Sequence, residues 1–204
     1  MTEIFTDTLR KKLNLTFPIR RVYKISDKSG QYYCVLTESI DSISTLPTLD
    51  KDTLHFKIKA ANFRIDKDNL TKVWELNDKI ESSSNEENSI WFWTKYIDFK
   101  DYDNDGLVDP IVIYGTSGLN DLDDGRIKLI IFFKGHKIAI RHQNGVLDQY
   151  RGTQVDKAFY SLPQTLQSDI KQKMEMMTED GNAIFPRGWQ TAMKNQKTVF
   201  NERQ

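Results

Sequence analysis

The run Arg20–Thr37 reads R-R-V-Y-K-I-S-D-K-S-G-Q-Y-Y-C-V-L-T, and it points the chain towards antiparallel β structure. Arg20–Ile25 and Gln31–Thr37 are rich in β-branched and aromatic residues, and Ser26-Asp27-Lys28-Ser29-Gly30 between them has the composition of a hairpin loop. The pattern continues downstream. Leu54, Phe56, Ile58 and Ala60 alternate with His55, Lys57 and Lys59, the period of two expected of a half-buried strand. Phe63–Ile65 and Lys72–Leu76 extend the same sheet. Residues 81–89 (E-S-S-S-N-E-E-N-S) offer no apolar anchor and read as a solvated loop. Upstream, Thr6–Leu15 reads as a short first helix.

The second half opens with an aromatic strand, Ile90–Phe99, followed by an acidic loop and an apolar strand, Ile111–Tyr114. Lys128–Phe133 and Lys137–Arg141 form a hairpin across Lys134-Gly135-His136. From Leu162 the period changes from two to that of a helix: Leu162, Leu166, Ile170, Met174 and Met177 share one face. Ser161 is placed to cap this helix, Pro163 to lie in its first turn and Gly181 just beyond its end. Trp189, Met193 and Phe200 predict a shorter closing helix. No repeat and no Pro/Gly/Ser-rich linker divides the chain, so the expected architecture is one α+β domain over residues 1–204, an antiparallel meander with C-terminal helices.

Composition narrows the classes. The 29 basic and 29 acidic residues balance, so no net field steers the chain to nucleic acid or an anionic membrane. No apolar run reaches the roughly 18 residues a membrane-spanning helix needs. Cys34 is the only cysteine, which excludes an intramolecular disulfide, and its setting in Tyr33-Cys34-Val35-Leu36 is that of a small buried hydrophobe.

One motif carries chemistry. Asp101–Asp109 reads D-Y-D-N-D-G-L-V-D, with carboxylates at positions 1, 3, 5 and 9 and glycine at position 6. Calcium takes six to eight oxygens, and a short loop supplies them by curling around the ion. The expected ligands are the side chains of Asp101, Asp103, Asp105 and Asp109 and the carbonyl of Leu107, with Gly106 permitting the turn. Val112 stands where an EF-hand has its bidentate Glu, and the flanks read as strands, so the loop resembles the D-x-D-x-D-G-x-x-D loops of integrin-like β-rich modules. The alternative is a polar turn, since Asp, Asn and Gly are ordinary turn residues. A second acidic stretch, Asn120–Gly125, lacks the register and reads as a solvated turn. Asp98 is either a supporting group for the loop or a plain strand residue.

Other chemistry is sparse. His136 and His142 on one strand would stand about 20 Å apart, too far to share a metal, and His55 is isolated on the polar face of its strand. No HExxH, GxSxG or phosphate-binding glycine loop occurs. Arg141–Gly145 and Arg151–Asp156 are dense in hydrogen-bonding side chains and read as turn chemistry or, alternatively, a pocket lining. Trp91, Trp93 and Phe99 read as core or as a sugar platform.

From Trp91 to about Trp189 the chain resembles a family of small exported bacterial proteins, some labelled as surface polysaccharide biosynthesis proteins. The stretches that carry the likeness are D-Y-D-N-D-G-L-V-D-P-I-V-I-Y-G, K-L-I-I-F-F-K, I-R-H-Q-N-G-V-L-D, T-Q-V-D-K-A-F-Y-S-L-P and A-I-F-P-R-G-W-Q. In class it is similar to immunity proteins of bacterial type VI secretion: small, exported, α+β and non-enzymatic. The resemblance implies a calcium-stabilised periplasmic binding protein that neutralises a secreted effector. Its alternatives are an envelope polysaccharide factor or enzyme and a structural envelope protein. Calcium sites of this type bind too weakly for a resting cytosol, so an export signal ahead of this chain is expected. A protein partner would be held by aromatic or Arg anchors near the loop, for which Tyr102 and Arg126 are the candidates.

Overall fold

The structure is a computed structural model that describes residues 4–44, 52–67, 69–80, 87–118 and 120–202. Strands hold 47% of the chain and helices 22%, almost all pairing is antiparallel, and the class is α+β. Contacts group the residues into two compact units, Met1–Phe92 and Trp93–Gln204.

The first unit is built on the hairpin predicted at Arg20–Thr37. Strand β1 (Ile19–Asp27) pairs with β2 (Gly30–Glu38), and Asp27 lies opposite Gly30 across the two-residue turn Lys28-Ser29. Asp27 holds the turn itself: its Oδ1 accepts hydrogen bonds from the amides of Ser29 (2.8 Å) and Gly30 (3.2 Å). A small hairpin of β3 (Ser42–Ser44) and β4 (Asp52–Leu54) intervenes. The meander then resumes with β5 (Lys57–Asp66) and β6 (Asn69–Lys79), in the order β1-β2-β5-β6, and β7 (Glu87–Phe92) closes the unit. Helix α1 (Asp7–Lys12) is capped by Thr6, whose hydroxyl accepts from the Leu9 amide.

The single alternating strand predicted over Leu54–Ala60 is broken at His55-Phe56, between β4 and β5, and within β5 alternation gives way to burial on both sides, because the strand is central. Ala61 and Phe63 pack on Phe5, Leu13 and Leu15, while Ile58, Ala60 and Asn62 are buried on the opposite face. Lys59 lies on the first of these faces with its ammonium satisfied by the Asn14 carbonyl (2.9 Å) and Glu75 (3.1 Å). The expected loop 81–89 falls partly outside the described residues. Its last three residues correct the reading: they begin β7, and Ser89 is buried, its hydroxyl accepting the His55 amide at 3.0 Å.

The second unit carries the candidate site. Strands β8 (Asp98–Lys100), β9 (Asp109–Gly118), β10 (Arg126–Phe133), β11 (His136–Gln143), β12 (Gly152–Val155) and β13 (Val199–Asn201) form an antiparallel sheet in the order β13-β12-β11-β10-β9, with β8 paired to β9. Ile111 faces Ile131 and Gly115 faces Ile127, so the loop at the start of β9 lies beside the far end of β10. The β10–β11 turn is Lys134-Gly135, tighter than the three residues predicted, and both have positive φ (47° and 79°), the mirror-image turn that matches strand twist. Helix α2 (Gln164–Glu179) buries Leu166, Ile170, Met174 and Met177 completely, as the spacing predicted. Helix α3 (Trp189–Lys194) follows.

Three readings are corrected. Ile90–Phe99 is not one strand: β7 ends at Phe92 and the chain turns at Trp93–Tyr96, where the Tyr96 amide donates to the Trp93 carbonyl. Tyr96 is buried in that turn, and its hydroxyl bonds Asp180 and Asn182. The N-cap of α2 is Pro163, since Lys157–Ser161 is wound into a 3₁₀ turn of its own. Phe200 does not extend the closing helix but lies in β13, buried opposite Thr153.

Candidate metal centre

The acidic loop leaves β8 at Lys100 and re-enters the sheet at Asp109. Its path needs left-handed backbone twice, at Asn104 (φ 59°) and Gly106 (φ 84°), the two residue types that adopt it most readily. The side chains fold inward onto the loop's own amides. Asp101 accepts from Asp105 N (3.1 Å) and Gly106 N (2.7 Å), Asp103 from Asp105 N (3.2 Å), and Asp109 from Tyr102 N (3.1 Å). In consequence one oxygen from each of Asp101, Asp103 and Asp109 lies within 4.8 Å of the others, an all-oxygen set that could hold a metal ion. Asp105 stands apart from this trio, with its Oδ1 accepting from Leu107 N at 2.8 Å.

The electrostatics of the cluster favour a cation. Asp109 is only 4% exposed. Burial first, and then the charges of Asp103, Asp105 and Asp101, push its carboxyl up to about 6. One cation is already close. The Lys134 ammonium, carried on the tip of the β10–β11 turn, lies 2.7 Å from Asp103 and 3.9 Å from Asp105. It holds Asp103 below the usual carboxylate range. An ion drawing on Asp103 must compete with this lysine. Lys134→Met is therefore expected to tighten calcium binding by roughly threefold to tenfold, as calorimetric titration would measure. Equal or weaker binding by the variant would show that Lys134 is not a competitor.

Tyr102 is not an exposed anchor at a loop tip. It is 8% exposed, and burial and the neighbouring Asp169 push its hydroxyl well above the ordinary range. That hydroxyl donates to Asp169 (2.8 Å), with Asp98 at 3.3 Å, and the Tyr102 carbonyl accepts from Thr165 at 2.5 Å. Thr165, Asp169 and Lys173 recur every four residues on α2, along the flank of its core stripe. Lys173 closes the network onto Asp98 (3.3 Å) and Asp169 (3.2 Å). Asp98 thus supports the loop from beside it. Arg126 is not near the loop either. It begins β10, while the loop lies beside that strand's other end, about 20 Å away at strand rise.

Two arrangements of titratable groups had no sequence signature. In the first unit, buried Glu38 accepts the Phe92 amide (2.9 Å) and lies 3.7 Å from His55 and 3.8 Å from Arg20. His55 is therefore not isolated. In the second, His142 is buried between Thr153 (2.9 Å) and Asn144 (2.8 Å), while His136 is exposed. Asn144 Oδ1 also accepts from the Ile184 amide (2.9 Å), so it is the imidazole Nε2 that donates and Nδ1 that accepts the Thr153 hydroxyl. Burial pulls His142 down to about 4. The stretch Asn120–Gly125 is a turn exposed at Asn120, Asp121 and Asp123, with Asn120 closing onto Asp124 at 2.9 Å, but it is not solvated throughout: Gly125 is buried against Thr116.

Fold and site together define an α+β protein with a carboxylate cluster that could hold a metal ion. In comparisons with known proteins, no family model, no curated protein and no solved structure matches the chain.

Proposed function

We propose that this protein is a calcium-stabilised binding protein that works outside the cytoplasm, in its most specific form a periplasmic immunity protein against a secreted antibacterial effector. The observation that carries the reading is the convergence of Asp101, Asp103 and Asp109 around one point. Three hard oxygen donors on an irregular nine-residue loop suit calcium, which tolerates irregular coordination, better than magnesium, which demands a near-ideal octahedron. The carbonyl of Leu107 and water complete the shell. The ion is structural: its carboxylates come from one loop, and that loop is bolted to α2 through Tyr102.

The compartment follows from affinity. Single-loop sites lacking a bidentate Glu belong to the range of about 10⁻⁴–10⁻³ M typical of extracellular modules, and such a site fills only outside the cytosol. A fold stiffened by an ion presents its surface at a reduced ordering cost, which suits a protein whose task is to hold a partner. The experiment is to express each toxin-like gene neighbouring this one in the periplasm, with and without the protein. Rescue of growth is the expected result. Failure to rescue against every neighbouring toxin overturns the immunity reading.

A further inference from the structure

Far from the acidic loop, the outward face of β10, β11, β12 and β13 is hollowed into an open groove of about 460 Å³. Arg126, Lys128 and Arg141 line it, and no Asp or Glu is among its described lining residues. The register explains the grouping: Arg126 lies opposite Gln143, Lys128 opposite Arg141, and Arg141 opposite Gln154, so these side chains share the face away from buried Ile127, Leu129, Ile140 and Thr153. Arg141 keeps one nitrogen on Asp156 at 2.7 Å.

Gly152 lies in this groove. It is in a strand, its φ is not left-handed, and a Cβ built on it would meet nothing within 4 Å. Neither backbone strain nor internal packing asks for glycine here, and glycine weakens a strand. Glycine in a strand is found at bulges, at tight bends and where a ligand or another backbone approaches closely, and the register from Gln143 opposite Gly152 to Ile140 opposite Val155 runs here without a bulge.

The loop that contributes Gln149 to the lining also carries exposed apolar side chains: Val146, Leu147 and Tyr150 are 51%, 55% and 62% exposed, and Val199 on β13, itself a lining residue, is 51% exposed. They are not loosely held. Arg151 clamps the loop by donating to the carbonyls of Gly145 (2.8 Å) and Val146 (3.2 Å), and is itself fixed by Asp148 (2.7 Å). A Cβ on Gly145 would come within 2.7 Å of the Tyr150 Cβ, so the loop is folded tightly on itself. A pre-positioned tyrosine beside arginine is the pairing that dominates protein-binding hot spots, and the exposed apolar side chains around it extend the contact surface.

We infer that the groove over Gly152, with the Val146–Tyr150 loop as its rim, docks an acidic segment of a protein partner that carries an apolar residue beside its carboxylates. Charge complementarity selects the acidic segment, and the apolar rim selects protein over a polyanion such as polyphosphate, whose backbone gains nothing from Val146 or Leu147. The inference rests on the reading of the chain as a protein-binding module, and it places the partner surface on the groove instead of on the metal loop.

The test is selection of a phage-displayed random dodecapeptide library on the full chain in calcium, with enriched peptides remade with a fluorophore for anisotropy. Enriched peptides are expected to combine Asp or Glu with an apolar residue. They should bind Gly152→Val, which fills the groove, and the double variant Arg126→Glu/Lys128→Glu about tenfold more weakly or worse. Gly152→Val adds a β-branched side chain to open space on a strand, and a melting curve checks that it folds; if it does not, the double charge variant decides. Enriched peptides without acidic character, equal affinity for the variants, or displacement by inorganic polyphosphate at lower charge concentration than by unlabelled peptide would each overturn the inference. In the toxin assay the two readings separate. Rescue by wild type and equally by Gly152→Val rejects the groove and leaves the immunity reading standing, whereas no rescue by wild type rejects the immunity reading and leaves the peptide result to judge the groove.

Discussion

In 1 mM calcium the protein is expected to melt several degrees above its melting point in EDTA. For a site at the tight end of the extracellular range, about 10⁻⁴ M, the stabilisation is about 1.4 kcal/mol. In a chain of this length that corresponds to roughly 3–6 °C. The variant that isolates the ion's contribution is Asp109→Asn. An amide oxygen still accepts the Tyr102 N–H bond that Asp109 accepts at 3.1 Å, but the charge crowded by Asp101 and Asp103 is gone. In EDTA this variant is therefore expected to equal or exceed wild type, because a buried, repelled carboxylate has been neutralised. In calcium it should fall below wild type and show little further response to the ion. Asp103→Ala and Asp105→Ala should also blunt the response. Asp105 contributes less, since its carboxylate stands outside the trio. Identical wild-type transitions in calcium and EDTA would leave no structural ion to explain.

The second large effect is a pH dependence centred on His142. Its folded pKa, about 4, lies below the ordinary 6.5. Between those values the unfolded chain binds a proton that the folded chain refuses, so stability rises with pH. The contribution is fully present above pH 6.5, is lost as pH falls toward 4, and amounts to about 3 kcal/mol across the window. Protonation must break the acceptance of the Thr153 hydroxyl at Nδ1 and place a charge in a site 2% exposed. Denaturant titrations at steps from pH 4 to 7 should show this slope in wild type and a flatter one in His142→Gln, whatever the variant's absolute stability. The measurement belongs in saturating calcium, because without the ion Asp109 works in the opposite direction: its raised pKa means protonation below about 6 relieves repulsion and adds stability. Parallel curves for wild type and variant would assign the acid sensitivity elsewhere.

How much of this was legible in the amino-acid order depends on whether the cause was local. The hairpin at Asp27–Gly30 and the buried stripe of α2 were, because turn chemistry and periodicity act over a few residues. The carboxylate cluster of the acidic loop was legible for the same reason, since Asp101, Asp103, Asp109 and the two left-handed residues lie within nine positions. What escaped depends on distant partners. The break after Phe92 is fixed in part by Tyr96 reaching Asp180 and Asn182, more than eighty residues away. Tyr102 read as a loop-tip aromatic because Thr165 and Asp169, which bury it, are more than sixty residues downstream. Arg126 looked close to the loop in sequence, but antiparallel pairing carries it to the opposite end of β10. Glu38 and His55 meet only because β5 returns to lie beside β2.

That same fastening of Tyr102 has a consequence for rates. Contacts that close loops of 63 and 67 residues are expensive to form early, so the bolts from Thr165 and Asp169 to the acidic loop are expected to form late in assembly, with φ-values near zero at both positions. An interaction completed after the transition state leaves the folding rate almost untouched and appears nearly whole in the rate of unfolding. Calcium, by stiffening the loop to which these bolts attach, would then lengthen the lifetime of the native state far more than it hastens its formation. For a protein exposed to proteases, that lifetime is the quantity that decides survival whenever cleavage outpaces refolding.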